Sequence, residues 1–449
     1  MSATVNDASR TKGIVLMIAA LAVAAVCVIA VDADDSSSEN TVYWEEGDLA
    51  YSAVEGSGEA EVSCVSVDTT GDIVIPGTSD YDGMTYTVTK IADYGFAYCW
   101  HIDSVIIPET VTEIGKLAFA GMTYEDPNYS GDDSASDGVT SISFAGTSHV
   151  KTIGDGAFKS TATAFTDQLT IPASVETIGD YAFAYMSTQY SEYVRSYGGP
   201  SSLVFEAAAD GSSGLRSIGS YAFAGNAYLG GNLTIPASVT SIGDHAFDGC
   251  GGLYSGTEDG AAIAFAGAAG ASQLASIGDG AFSGWALGSD PSADAVTIPA
   301  SVQTIGEGAF SDTGMDFAFA GTDDGTSQLA SIGDDAFSGT GCASLEIPGS
   351  VSDMGSSFKD CTSLTDVTFR AKEGSLALET MDGTFFGCTS LRSVTFEADP
   401  SALSLSGTFS GCTSLASVVL PEGVKAIGDS AFNDCTLLAS VTIPPRRNR

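Results

Sequence analysis

One phrase, Ile-Gly-Asp-x-Ala-Phe with small variations, returns along most of the chain and leaves it little freedom in how to fold. Copies begin at Ile91, Ile114, Ile153, Ile178, Ile218, Ile242, Ile277, Ile305, Ile332 and Ile427. Weaker ones run from Met354 to Phe358, Met381 to Phe385 and Leu405 to Phe409. Start-to-start spacings lie between 22 and 40 residues. Self-similarity at that period marks a repeat array. No single unit can bury its own apolar face, and stacked neighbours supply the core.

A second phrase precedes many copies: Leu169-Thr-Ile-Pro-Ala-Ser-Val175, with repeats at Leu233 and Val296 and related forms at Val105, Leu345 and Val418. Its apolar-polar-apolar alternation is the spacing of a half-buried strand, which the proline ends because it cannot donate a ladder hydrogen bond. The following Ser-Val-x-x-Ile-Gly turns a second apolar pair inward. The glycine is expected to bend the chain with positive φ. Phe then fills the interior and Ala leaves room beside it. Burying each Phe stabilises by about 1.5–3 kcal/mol. The Ile-Pro units tend to alternate with a version lacking Pro, as at Ser143-Phe-Ala-Gly146, Ala264-Phe-Ala-Gly267 and Ala318-Phe-Ala-Gly321. This makes a pair of repeats the expected unit of duplication.

Asp360-Cys-Thr-Ser-Leu364 and Gly411-Cys-Thr-Ser-Leu415 add a Cys-x-x-Leu tail to the phrase. With these, residues 72–444 or so resemble the BspA-like, or Treponema-type, leucine-rich-repeat family. The resemblance implies a β-rich solenoid, a leucine-rich-repeat right-handed superhelix of about thirteen repeats over 91–449. Residues 32–90 form a linker and, from about 41, an N-terminal β cap. The family habit it implies is a cell-surface protein that binds matrix proteins, host surfaces or other cells.

Fifty-seven acidic residues stand against 16 basic ones, a net charge of −41. Nucleic acid and anionic membrane surfaces would be repelled. The 44% hydrophobic content excludes disorder as the meaning of that acidity. Arg10 and Lys12 precede an uncharged run from Gly13 to Val31, and Asp32, Asp34 and Asp35 follow it. As a helix the run spans about 28 Å, close to a bilayer core. The flanking charges keep 1–12 in the cytoplasm and put the rest outside. The run is either an uncleaved transmembrane anchor, the reading favoured by its length, or a cleaved signal. It is the chain's only expected membrane contact.

Cys361, Cys388, Cys412 and Cys435 hold one repeat position, and Cys99, Cys250 and Cys342 fit the same slot after the Phe. Stacked rungs bring such residues close, yet parallel Cβ vectors resist bridging. A ladder of buried free thiols is expected, with Cys64 outside it, free or paired. No Cys/His spacing suits a metal, and the acidic stretches Asp132–Asp137 and Asp323–Asp324 lack the spacing of a calcium loop. His101, His149 and His245 fall in different repeats without partners, and no nucleophile elbow, triad or phosphate loop occurs. No catalytic residue and no cofactor are expected.

Extra residues gather just after Ala-Phe, at about 121–139, 185–202, 251–261 and 284–295. In a solenoid, insertions at one repeat position emerge on one edge. They carry Tyr124 and Tyr129, then Tyr185, Tyr190, Tyr193, Arg195 and Tyr197, then Tyr254 and Trp285. Tyr, Trp and Arg are the usual anchors of binding surfaces. Asn128 and Asn232 head N-glycosylation sequons. The function expected is adhesion to, or binding of, an extracellular protein or glycan. The alternative is a surface-layer or stalk component with no specific ligand.

Overall fold

The computed structural model describes residues 40–99, 101–121, 141–161, 168–186, 199–227, 229–251, 262–268, 270–285 and 295–444. Among them nearly every regular element is a β-strand, and no helix is long and apolar enough to cross a membrane. Residues 13–31 lie outside the described residues.

Each repeat supplies two strands, as its two phrases require. Lys90-Ile91, Glu113-Ile114 and the Ser/Thr-Ile dipeptides after them stack in parallel, so that Ile91, Ile114, Ile153, Ile178, Ile218, Ile242, Ile277, Ile305 and Ile332 pair in one continuous register. The Leu-Thr-Ile segments form the other strand, with Leu and Ile inward and Thr outward, as at Leu233–Ile235. These strands pair two by two: Gln168–Ile171 with Ser202–Phe205, Leu233–Ile235 with Ile263–Phe265, and Val296–Ile298 with Phe317–Phe319. In this middle stretch strand pairing follows the two-repeat period of the sequence. Towards the ends three strands join, Gly71–Val74 with Ile102–Ile107 and Ser141–Phe144, and Ser344–Ile347 with Asp366–Phe369 and Ser393–Phe396.

The Ala-Phe turns bind rung to rung. The backbone N–H of Phe119 donates to Ala157 O, that of Phe158 to Ala182 O and that of Phe183 to Ala222 O, each at 2.7 Å. The rings stack behind them in an unbroken ladder of thirteen from Phe96 to Phe432, with centroid spacings from 5.0 to 6.1 Å. Face-to-face packing at this spacing adds to the burial of each ring.

The glycine after each Ile does not take positive φ, contrary to expectation. It is required because the rungs approach too closely for a side chain. A Cβ on Gly278 would lie 2.5 Å from Asp244 Oδ1 and 2.6 Å from both Asp244 N and Gly243 C. Positive φ falls two residues later, at the variable position before Ala-Phe.

At the N-terminal end, strands β1 (Thr41–Glu46), β2 (Leu49–Val54) and β3 (Glu59–Cys64) form an antiparallel meander, and β3 joins the long sheet through β4 (Met84–Ile91). Trp44 stacks on Tyr51 and Tyr81 at 5.3 and 5.1 Å.

The cysteine ladder is present. The thiols of Cys361, Cys388, Cys412 and Cys435 donate to the carbonyls of Phe337, Phe358, Phe385 and Phe409 one rung back, at 3.0–3.2 Å. Cys250 does the same to Phe223 O at 3.1 Å. All are free thiols. Cys342 is not in this slot: Thr340 holds it, three residues after Phe337, and Cys342 accepts a hydrogen bond from Phe317 N at 3.2 Å. Elsewhere the slot carries Thr161, Asn226 or Thr313, whose side chains also donate to a Phe carbonyl. Most rungs place a small donor here, because the turn leaves that carbonyl buried; Met186 and Trp285 are exceptions.

Candidate binding edge

Two backbone positions in each Ala-Phe turn are left-handed. One precedes the Ala and the other lies two residues after the Phe. Glycine fills many of them, as at Gly156, Gly280 and Gly308. Over part of the array they carry bulky rings instead: Tyr94 (φ 59°), Tyr98 (62°), Tyr181 (57°), Tyr185 (57°), Tyr221 (57°) and His245 (55°). A side chain there costs about 1–2 kcal/mol against glycine. Leu117, Ser160, Asp312, Asp335, Asp360, Ser430 and Asp434 bear the same strain in other turns, so what sets this stretch apart is its rings.

The rings form an ordered surface. Tyr181 stacks on Tyr221 at 4.8 Å, and Tyr221 on His245 at 4.8 Å. Lys159 Nζ lies 5.2 Å from the Tyr181 ring and 5.8 Å from that of Tyr185, a cation–π contact on both. The row closes because the next rungs carry glycine: a Cβ on Gly225 would lie 2.4 Å from the Tyr185 ring, and one on Gly280 2.5 Å from His245 Nδ1. His245 Nδ1 also lies 3.2 Å from Asp248 Oδ2. Tyr94, Tyr98 and Tyr181 keep 45, 43 and 37% of their surface exposed. Desolvation, helped by the nearby Tyr181, raises the pKa of the Tyr221 hydroxyl.

The insertions leave from this edge. Gly121, Thr161, Met186, Gly251 and Trp285 are the last described residues before segments that begin three to five positions after Phe119, Phe158, Phe183, Phe247 and Phe282. Tyr124, Tyr129, Tyr190, Tyr193, Arg195, Tyr197, Tyr254 and Asn128 belong to those segments and lie outside the described residues. Trp285 requires correction as a contact residue. It is 1% exposed and packs edge-on against Phe247 and Phe282 at 6.2 and 6.4 Å, in the small-donor slot of its rung. Asn232 is exposed, and its Oδ1 accepts from Ala262 N at 3.4 Å. Tyr181, Tyr221 and His245 are missed by reading the insertions alone. Their signal is the variable residue of Ile-Gly-Asp-x-Ala-Phe, aromatic in three consecutive copies.

Elsewhere, a shallow trough of about 500 Å³ runs along the Ser/Thr-Ile-Gly-Asp rows beside Asp180, Asp244 and Asp279. One oxygen of each carboxylate accepts a backbone N–H from the next rung, at 2.7, 3.0 and 2.7 Å, so these aspartates serve first to join turns. Basic residues are likewise held by carboxylates of other rungs: Arg370 lies 2.7 Å from Glu346 and 2.6 Å from Glu397. No group of acidic, His and Cys side chains among the described residues suits a metal ion.

The chain is similar to known proteins over nearly all of this architecture. A leucine-rich-repeat protein from Bacteroides ovatus is 22% identical with a TM-score of 0.51, over 89% of this chain and 88% of that one. A leucine-rich cell surface protein of Faecalibacterium prausnitzii is 20% identical over 90 and 96%, with a TM-score of 0.43. The pneumococcal vaccine antigen PcpA is 17% identical over 90 and 99%, with a TM-score of 0.45. No curated protein matches. The model of the BspA type leucine-rich repeat region matches in six copies, over residues 89–254, 276–404 and 377–448. Those residues hold the Ile register, the Phe ladder and the cysteine slot, and by them the chain belongs to the BspA-type leucine-rich-repeat family.

Proposed function

We propose that this protein is a non-catalytic binding protein displayed outside the cell, which captures an extracellular protein or glycan through its tyrosine-bearing edge. The observation that carries the reading is the row Tyr181–Tyr221–His245, held on strained backbone where the inserted segments leave the column. Rigid rings with few rotatable bonds supply contact area at low entropic cost. The inserted segments that follow these turns in sequence carry Tyr124, Tyr129, Tyr190, Tyr193, Arg195, Tyr197 and Tyr254 as the further anchors of this reading.

In this reading residues 1–12 stay in the cytoplasm, and 13–31 anchor the protein or act as its signal. The meander within 32–90 caps a right-handed superhelix of about thirteen repeats. Asn128 and Asn232 are glycan acceptors only where a glycosylation machinery meets the exported chain. The acidic surface keeps the column soluble and disfavours nucleic acid and anionic lipid. The test is a screen of the exported region against glycan and matrix-protein arrays. Capture that is lost on removing the edge tyrosines supports the reading. Retention of nothing leaves the structural, stalk-like role.

A further inference from the structure

Cys99 stands three residues after Phe96, in the slot whose other cysteines donate to a Phe carbonyl one rung back. Phe96 is the first ring of the ladder, and at this end of the column the Cys99 thiol turns elsewhere. It reaches the Ala97 carbonyl at 3.7 Å and the Ser66 carbonyl at 3.9 Å, and the Cys64 thiol reaches that same Ser66 oxygen at 2.9 Å. The two thiols also hydrogen-bond to each other. Cys64 closes β3, with its backbone N–H held by Gly95 O at 2.8 Å, so the two residues are fixed in neighbouring elements. Both are buried, at 0 and 2% exposure. The ladder cysteines differ in what they bond to. Each occupies the equivalent position of its own rung and donates to a separate carbonyl, Cys361 and Cys388 included, although their thiols also meet. Cys64 and Cys99 come from unlike elements and converge on one point, as a disulfide requires.

We propose that Cys64 and Cys99 form a disulfide that staples the N-terminal meander to the first Ala-Phe turn. The oxidant is an external disulfide, such as oxidised glutathione or an oxidised thiol-exchange catalyst. Cys64, as thiolate, attacks one sulfur of the external disulfide and expels a thiolate. Cys99 gives up its proton, attacks the Cys64 sulfur of the mixed disulfide and expels the second thiolate. Two protein thiols are oxidised by two electrons, and one external disulfide becomes two thiols, which take up the protons. The contact with the Cys99 thiol holds the Cys64 pKa below that of an ordinary thiol against the opposing effect of burial, which suits Cys64 to the attacking role. Crosslinking residues 64 and 99 removes disorder from the unfolded chain and pins the end of the array, where fraying begins.

The experiment uses the full chain, refolded in a defined oxidised/reduced glutathione buffer, quenched in acid, denatured without reductant and alkylated. It does not depend on where the protein resides. Trypsin cuts at Lys90, so Cys64 and Cys99 fall on separate peptides unless linked. Cys27 shares the 13–90 peptide with Cys64, so fragmentation of the linked pair must place the bond at Cys64, a bond at Cys27 overturning the proposal. A linked pair of those peptides, two hydrogens lighter than their sum, is expected, with Cys361, Cys388, Cys412 and Cys435 alkylated. Reduction should lower the melting transition by several degrees, to that of Cys64→Ser/Cys99→Ser, and Cys99→Ser alone should leave Cys64 glutathionylated. Full alkylation of Cys64 and Cys99 after oxidative refolding, or linkage of Cys64 to a ladder cysteine, would overturn the proposal.

Discussion

The rings of Tyr181 and Tyr221 lie 4.8 Å apart and 2° from parallel, although both residues hold left-handed backbone with φ of 57°. Stacking and strain oppose each other at the same two positions, and two substitutions separate them. In Tyr221→Gly the ring contacts go and the strain is relieved. In Tyr221→Ala the contacts go and the strain stays. The alanine variant should therefore be less stable than the glycine variant by about 1 kcal/mol, read from urea unfolding. Equal stability would mean that this turn is not left-handed in solution.

The close passage of rungs at the Ile-Gly positions gives a second contrast. In Gly278→Ala the new methyl meets the Asp244 and Gly243 backbone at 2.6 Å, and the two rungs must separate. In Gly284→Ala nothing lies within 4 Å of the methyl, and only the φ of +66° resists. Loss should be about 1 kcal/mol for Gly284→Ala and at least twice that for Gly278→Ala, again from urea melts. Similar losses would place the constraint on φ rather than on approach.

Much of this architecture is legible in the sequence, and what is not has a physical cause. The Ile and Phe rows can be read directly because every copy must fill the same column. The role of the glycine in Ile-Gly cannot, because positive φ and close approach select the same residue. Gly278 belongs to the second kind and Gly284, with φ of +66° and open space around it, to the first. Trp285 reads as a loop anchor from composition, yet it stands in the slot of Cys250 and Thr313, where the interior has room for a ring. Tyr221 and His245 escape notice because a single variable position in a motif looks unconstrained until its neighbours stack upon it.

Burial raises the pKa of Cys250, Cys342 and Cys412 from 9.0 to about 12. The sign follows from linkage. Above pH 9 the unfolded chain releases thiol protons that the folded chain keeps, so stability falls as pH rises from about 9 towards 12. Each such thiol contributes a slope of about 1.4 kcal/mol per pH unit in that window and nothing below it. Cys250→Ala should show a shallower decline between pH 9 and 10.5 than the wild type does, with tyrosine titration common to both. Parallel curves would mean that water reaches the Cys250 sulfur.

The binding edge is tested by removing its rings in two sets. Tyr190, Tyr193 and Tyr197 belong to an inserted segment, while Tyr181 and Tyr221 belong to the column itself. Each well-buried aromatic anchor is worth about 2 kcal/mol or more at an interface, so losing two should weaken capture roughly a thousandfold. The triple Tyr190/Tyr193/Tyr197→Ala variant should leave the melting transition unchanged, since loop residues outside the Phe stack add little to the core. The Tyr181/Tyr221→Gly variant should also stay folded, because glycine suits both left-handed positions. Capture lost in both sets, with both proteins folded, places the ligand across loop and column together. Capture kept in the second and lost in the first confines it to the loop. Capture kept in both removes this edge from the binding surface.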